Sequence, residues 1–541
     1  MAKTAIAVIL SLLGIFVMPS CSGDTASSTS GGSSSAGGGS FQLMEATIDD
    51  VHAAYRSGQL TARQLVQQYL DRIEAFDQEG PAINCIITLN PTALEEADKL
   101  DEQYRRSGPV GPLHGIPVVV KDQVDVAGTP TTLGSVVFKD YRPPQDAFVV
   151  AKVKAAGGII LAKTTLGEFG GGDTYGSIFG ATRNPYDPER TVGGSSGGSA
   201  ACLSANFATL AIGQEGFASI RRPATWNAVV GMRPTTGLTS RTGVYGGHPS
   251  PVGLLGPLAR TVTDLAKLLD VMVGYDREDP VTALGVGHVP ESYTQALDRN
   301  GLQGARIGII REAFGTRSDP ESQDFAKVDA AFQQALAELK AAGAELVDPI
   351  VIPDLKELLA KRTENPLGQA GLEIWLARNP SSPYKTRADI QKSPDVGKII
   401  PPSKSASWAR DPGPPNLVAY AEYVLARDQL MMNVMQVMAD NRLDAIVHKS
   451  VEHQPNLIRD GMNPPYANNS GVAGLNTLLL YAASMTVPAG FTSDGLPTGI
   501  TFLGRAYSEP LLLKFAYAYE QATHHRRPPE TTPALPEVEE R

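Results

Sequence analysis

Short apolar runs, most of them bounded by glycine or proline, recur through most of this chain: "CIITL", "IPVVVK", "GGIILAK", "FATLAIG", "ARIGII", "DAIVHK", "SMTVPA" and "TGITFLG". Helical patterns fall between several of them, as in "DFAKVDAAFQQALAELKAAG". Strands that alternate with helices bury an apolar sheet from both sides, so the pattern predicts an α/β fold. Two helix starts are legible early. Thr47 with Asp50, and Thr61 with Gln64, have capping-box spacing, and "TARQLVQQYLDRIEAF" sets Leu65, Tyr69, Ile73 and Phe76 on one helical face. No internal repeat and no clear linker interrupts the chain after residue 40. Residues 41–541 are therefore expected to form one large domain, with the Pro- and charge-rich segment 353–430 as an excursion from its core.

The first 40 residues are of another kind. Lys3 precedes "AIAVILSLLGIFVM", an uncharged apolar stretch that is short for a bilayer span and is followed by small residues. That is the pattern of an export signal, expected over residues 1–20. "MPSC" then ends at Cys21 and resembles a bacterial lipobox; an ordinary cleaved signal with an incidental cysteine is the other reading. Residues 22–40 contain no apolar side chain larger than alanine and cannot bury enough surface to offset the entropy of ordering. Residues 21–40 thus read as a lipidated Cys21 followed by a flexible tether. The protein is expected outside the cytoplasm, as a cell-envelope lipoprotein held to the membrane through Cys21, or as a secreted or periplasmic form.

About 42% of residues are apolar and 19% charged, which is globular composition. A net charge of −10 argues against nucleic acid as the partner, because phosphate binding needs a basic face. No Cys/His spacing for a metal and no cofactor motif is present. "THHRR", with His524 and His525, reads as a solvated helix end. Cys85 and Cys202 have small or apolar neighbours and read as buried free thiols, a single disulfide being the alternative outside the cytoplasm.

Three segments carry possible chemistry. "TVGGSSGGSAACLSANFA" places Ser195 and Ser196 in a structured loop, because a spacer would not lead straight into a buried apolar run. Gly193, Ser195 and Gly197 match the G-x-S-x-G elbow of α/β-hydrolases, but the preceding "TRNPYDPERTV" lacks the buried strand that elbow needs. "LHGIPVVVKD" ends an apolar run on Lys121. Partial burial there would lower its pKa and make it a base; the plainer reading is a strand-end lysine reaching water. "ATLAIGQEGFASIRRPA" reads as strand, tight turn and helix start, with Ser219 just past the turn. Such a turn can aim several backbone N–H groups at one oxyanion, whereas Ser219 alone would be only a helix cap.

Together, "GIPVVVKD", "GGSSGGSAA" and "GQEGFASIRRPA", in this order and spacing, resemble the amidase signature family. The likeness continues through "GMRPTTGLTS", "GPLARTVTDLAKLLDVMVG" and "TVPAGFTSDGLPTGITFLGR", from about Thr47 to the C-terminal region. The resemblance implies a mixed central sheet covered by helices and hydrolysis of a small-molecule amide, without metal or cofactor. It implies Ser219 as nucleophile, Ser195 as proton relay after a cis peptide bond, and Lys121 as general base. It also implies an oxyanion hole from the backbone N–H groups of Gly216, Phe217 and Ala218, joined by that of Ser219. The family usually has Gly-Gly where this chain has Phe217-Ala218, which bears on the geometry of that hole and on substrate range. Arg221 is expected either to pack near the site or to form a structural salt bridge. Two other functions are set beside this one: a serine esterase with Ser195 as nucleophile and His448 or His453 as base, and an inactive relative acting as a binding lipoprotein.

Overall fold

Both early capping boxes close in the computed structural model. Thr47 caps the helix Ile48–Ser57, with Asp50 reaching back to the Thr47 N–H, and Thr61 and Gln64 do the same for Ala62–Ile73. The structure describes residues 41–246, 253–364, 367–400 and 416–536. The signal, Cys21 and tether expected over residues 1–40 lie outside them. Residues from Phe41 onward form one unit. Among the described residues no helix is long and apolar enough to cross a membrane.

Eleven strands form the central sheet. In chain order they are β1 (Ile86–Leu89), β2 (Pro117–Lys121), β3 (Ile159–Thr164), β4 (Leu210–Glu215), β5 (Val230–Arg233), β6 (Leu254–Ala259), β7 (Arg306–Ile310), β8 (Glu345–Ile350), β9 (Ala445–Lys449), β10 (Ser484–Phe491) and β11 (Pro497–Leu503). They are laid out β1-β3-β2-β4-β6-β5-β10-β11-β9-β7-β8. β2 runs parallel to β3 and β4, and β7 parallel to β8 and β9; the other pairs are antiparallel, so the sheet is mixed. Every residue of β2, β3, β4 and β6 is buried. Successive side chains point to opposite faces, so helices and loops cover this part of the sheet on both sides.

Each apolar run named above lies on a strand of this sheet. Three strands carry no such run. β5 is only four residues and ends in Arg233, β6 contains Gly256-Pro257, and β8 contains Asp348-Pro349. β8 is an edge strand, where proline costs no ladder bond. In β6 the pairing with β5 begins only at Leu258, so Pro257 faces a single paired neighbour.

Segment 353–430 is packed into the body where it is described. Leu359, Tyr423 and Leu430 are buried with Leu475, Leu478 and Leu479 beneath β7 and β9 residues, and Trp375 meets the rings of Phe138, Tyr141 and Tyr245. Leu359 and Trp375 lie on short helices, Leu355–Ala360 and Leu367–Arg378, whereas Tyr423 and Leu430 lie on the long helix Leu417–Asp440 that runs past the end of the segment. His525 also departs from expectation. Its ring lies 2.7 Å from the Glu338 carboxylate, which accepts from Tyr519 as well, so the C-terminal helix Glu509–Thr523 is tied to Gln323–Ala341.

Candidate functional site

β2 and β4 are parallel neighbours, with Val120 opposite Ile212, so their C-terminal ends lie side by side. Ligands in α/β sheets bind at such strand ends, where the chain leaves the sheet. β2 delivers Lys121 as its last residue. β4 delivers Gln214 and Glu215, and the chain then turns through residues 216–220 into the helix Arg221–Trp226. Ser195 comes from the loop ahead of the helix Gly197–Ser204.

These elements bring three side chains into one line. Lys121 Nζ lies 2.7 Å from Ser195 Oγ and donates to the Gln214 carbonyl at 3.2 Å. Ser195 Oγ lies 3.0 Å from Ser219 Oγ. The Gly194–Ser195 peptide bond is cis. Lys121 and Ser195 are 0% exposed and Ser219 is 9% exposed, so Ser219 is the least buried member of the line. Lys121 does not reach water, contrary to the plainer reading of its position. The adjacent Asp122 carboxylate is already paired with Lys163, at 3.0 Å. Burial pushes the Lys121 amine well below the usual lysine range; the Glu215 carboxylate opposes this and the Arg222 guanidinium adds to it. A neutral amine has a lone pair, so protons can run from Ser219 to Ser195 and from Ser195 to Lys121.

The turn around Ser219 is held by Glu215. One carboxylate oxygen accepts from the N–H groups of Ile220 (2.9 Å) and Arg221 (3.0 Å), and the other accepts from Arg221 Nε at 2.8 Å. Burial alone would raise the Glu215 pKa, but Arg221, Arg233 and these N–H groups keep it below the usual value. Arg221 thus forms a buried structural ion pair. Among the described residues, the N–H groups of Phe217, Ala218 and Ser219 donate to no protein acceptor. None of residues 216–219 has a positive φ, so the turn does not need the glycines that Phe217-Ala218 replace. The Phe217 ring instead fills space. It lies against Gly474, where an added Cβ would collide with it, and the Arg362 guanidinium stacks over it at 4.8 Å.

The Ser195 loop is fixed by contacts that sequence reasoning missed. Gly167 N–H donates to the Ser195 carbonyl (3.1 Å), and Ser196 N–H to the Ser219 carbonyl (3.0 Å). Arg222 donates through Nε and Nη2 to the Gly194 carbonyl, at 2.9 and 2.6 Å, and through Nη2 to that of Gly172 at 2.8 Å. Its Nη1 meets Asp173 at 2.7 Å and Asn469 at 2.6 Å. The one available signal was the second arginine of "SIRRPA"; its partners lie 28 to 247 residues away. The glycines of "GGSSGGS" serve close packing: a Cβ at Gly197 or Gly198 would strike Thr174 or Thr165.

The histidines of the esterase reading are elsewhere engaged. His448 Nδ1 lies 2.6 Å from the Lys449 carbonyl, and burial with the nearby Arg221 pushes its pKa down to about 3. His453 Nε2 accepts from the Asp319 N–H at 2.9 Å. Neither ring has a hydrogen bond to Ser195. Residues Asp187–Thr191, which precede that serine, pair with Arg183–Asn184 in a small ribbon and bridge to Leu457 through Arg190, and they are not part of the central sheet. The buried strand that an elbow requires is therefore absent at this point of the chain.

Comparison with known proteins gives the family. The amidase family model matches residues 64–513. A glutamyl-tRNA(Gln) amidotransferase subunit from Methanosarcina barkeri is 33% identical over 486 residues, which is 87% of this chain and 96% of that protein. The crystal structure of PAM12A superposes with a TM-score of 0.81 at 34% identity, covering 90% of this chain and 99% of that one. Native peptide amidase from Stenotrophomonas maltophilia superposes with a TM-score of 0.77, also at 34% identity, covering 91% and 99%. The chain belongs to the amidase signature family of enzymes that act on carbon–nitrogen bonds.

Proposed function

We propose that this protein hydrolyses a carboxylic amide to the acid and an amine or ammonia through an acyl-enzyme on Ser219. The observation that carries this reading is the unbroken line Lys121–Ser195–Ser219, at 2.7 and 3.0 Å, around an amine whose burial favours its neutral form. Ser219 Oγ attacks the carbonyl while its proton passes to Ser195, whose own proton passes to Lys121. The tetrahedral oxyanion is held by N–H groups of the turn, drawn from Gly216, Phe217, Ala218 and Ser219. Each such donor is worth about 3 kcal/mol in the transition state. Collapse expels the amine, which takes the proton back along the same line, and water then releases the acid by the reverse order of transfers.

Peptide amides are the first substrates to try, because the peptide amidase shares fold and a third of its sequence with this chain. A role within a tRNA-dependent amidotransferase is the second, since that is the name of the curated relatives. The net charge of −10 and the leader-like N-terminus favour the first. The export reading is part of the proposal: residues 1–20 direct the chain out of the cytoplasm, and a lipid on Cys21 holds it by the tether 22–40.

The decisive experiment is fluorophosphonate labelling combined with assays of Ser219→Ala, Ser195→Ala and Lys121→Ala on peptide amides and on free glutamine. The label is expected on Ser219, and ammonia from the peptide amide. Unchanged hydrolysis by Ser219→Ala, or a label on Ser195, refutes the mechanism. Absence of turnover on every amide by the wild type favours a binding lipoprotein. For the anchor, Cys21→Ala is expected to move the protein from the membrane to the soluble fraction; an unchanged distribution refutes it.

A further inference from the structure

Cys85 and Cys202 are 117 residues apart in sequence, yet their sulfurs are in direct contact, 2.6 Å apart. Cys85 stands immediately before β1, at one edge of the sheet, and Cys202 lies in the helix Gly197–Ser204 that follows the Ser195 loop. Both are completely buried. The backbone around them is fixed. Cys85 N–H donates to Asp77 at 2.6 Å, the Cys85 carbonyl accepts from Thr165 N–H at 2.9 Å, and the Thr165 carbonyl accepts from Gly198 N–H at 3.2 Å. The strand edge and the helix are therefore held together by their own hydrogen bonds, with the thiols brought face to face. The chain has three cysteines, and the remaining one, Cys21, is the lipid-bearing residue of the reading above.

We propose that Cys85 and Cys202 are joined as a disulfide in the mature protein. The bond forms by exchange with a small-molecule disulfide such as oxidised glutathione. One cysteine thiolate attacks it and releases one thiol, and the second cysteine thiolate then displaces the other. Two protein thiols are oxidised by two electrons, one small disulfide is reduced to two thiols, and the protons go with them. Burial raises the pKa of both thiols, which disfavours the attacking thiolate in the folded state. Both residues are completely buried, so exchange needs them exposed, as they are in the unfolded chain. The closed loop carries both Lys121 and Ser195, while Ser219 lies outside it. The crosslink thus ties the sheet edge to the helix behind the serine loop, and it does so whatever reaction the site performs.

The test uses the full-length protein, denatured with reductant and refolded in a glutathione redox buffer, beside protein isolated directly. Each is alkylated in denaturant without reductant and digested. The expected product is one linked pair of peptides containing residues 85 and 202. The protein should be about 2 Da lighter than its reduced form, with no alkylation at either position. The melting temperature is expected to fall by about 5 °C when the pair is reduced in denaturant and refolded without oxidant. Cys85→Ala/Cys202→Ala should match that reduced form. Alkylation of both cysteines in the glutathione-refolded protein overturns the proposal. The mass measurement is made on the wild-type chain, so it decides even if the double variant does not fold.

Discussion

Replacing Arg222 by methionine should damage the proposed active site without touching any of the three proposed reacting side chains. The guanidinium is 2% exposed and is spent on backbone carbonyls, the buried Asp173 and the half-buried Asn469, two of its hydrogen bonds going to the Gly194 carbonyl, one bond away from the Ser195 nitrogen. Methionine has similar volume, so the loss is electrostatic. It leaves the Asp173 carboxylate, fully buried, without its cation, and leaves the Gly172 and Gly194 carbonyls with lost donors. Removing one partner of a buried ion pair costs about 3–5 kcal/mol. With an unfolding entropy of about 2.1 cal/mol/K per residue over roughly 500 residues, each kcal/mol shifts the melting temperature by about 1 °C, so a fall of ~3–5 °C is expected. If the Ser195 loop relaxes by an ångström, kcat falls about 100-fold while KM changes little. Differential scanning fluorimetry gives the first number. Steady-state hydrolysis at 25 °C, normalised to sites titrated with a fluorophosphonate, gives the second. Arg222→Lys restores a cation to Asp173 but not the fork to Gly194, so it should recover more melting temperature than kcat. A kcat within twofold of wild type for a folded Arg222→Met would refute the positioning role and leave the loop to Gly167 and Ser196.

Lys121→Met should abolish hydrolysis yet fold. In the wild type kcat/KM should be lost as pH falls through the lowered lysine pKa, an acid limb that starts below the ordinary lysine range. Because the unfolded chain binds the proton that the folded chain releases, wild-type stability should rise with pH between that lowered value and 10.5, and urea titrations of Lys121→Met should lose this slope. Gly474→Ala should lower both activity and stability by collision with the Phe217 ring, and the change should be nearly silent in a Phe217→Ala background; additive effects would show that the two do not share that space. Burial raises the Asp264 pKa to about 6, so folding takes up a proton there and stability should fall as pH rises from 3.8 to about 6. Asp264→Asn should therefore gain on the wild type above that window, and parallel stability–pH curves would contradict it.

What the chain determines by itself is local. Short apolar runs read as strands whose side chains need cover, so β1 to β4, β7 and β9 to β11 were legible. The same logic separates the Ser/Gly stretch at 22–40, expected to be a tether, from "GGSSGGS", which leads straight into the apolar run "AACLSANFATLAIG". The motifs carrying Lys121, Ser195 and Ser219 were read through their resemblance to the amidase signature family; the residues alone left a strand-end lysine and a helix-capping serine open. Strands β5, β6 and β8 were not, since charge and proline inside them are tolerated only through where they sit in the sheet. Tertiary structure alone decided how the site is held. The parallel register of β2 and β4 sets Lys121 beside Gln214, burial sets the state of its amine, and Arg222 with Glu215 fixes the loops of both serines. It also decided that Phe217 stands where glycine was expected without backbone strain, and that His448 and His453 are engaged away from the serines. These are properties of fields and contacts between segments far apart in the chain, and a desolvation or a hydrogen bond has no value until both partners are in place.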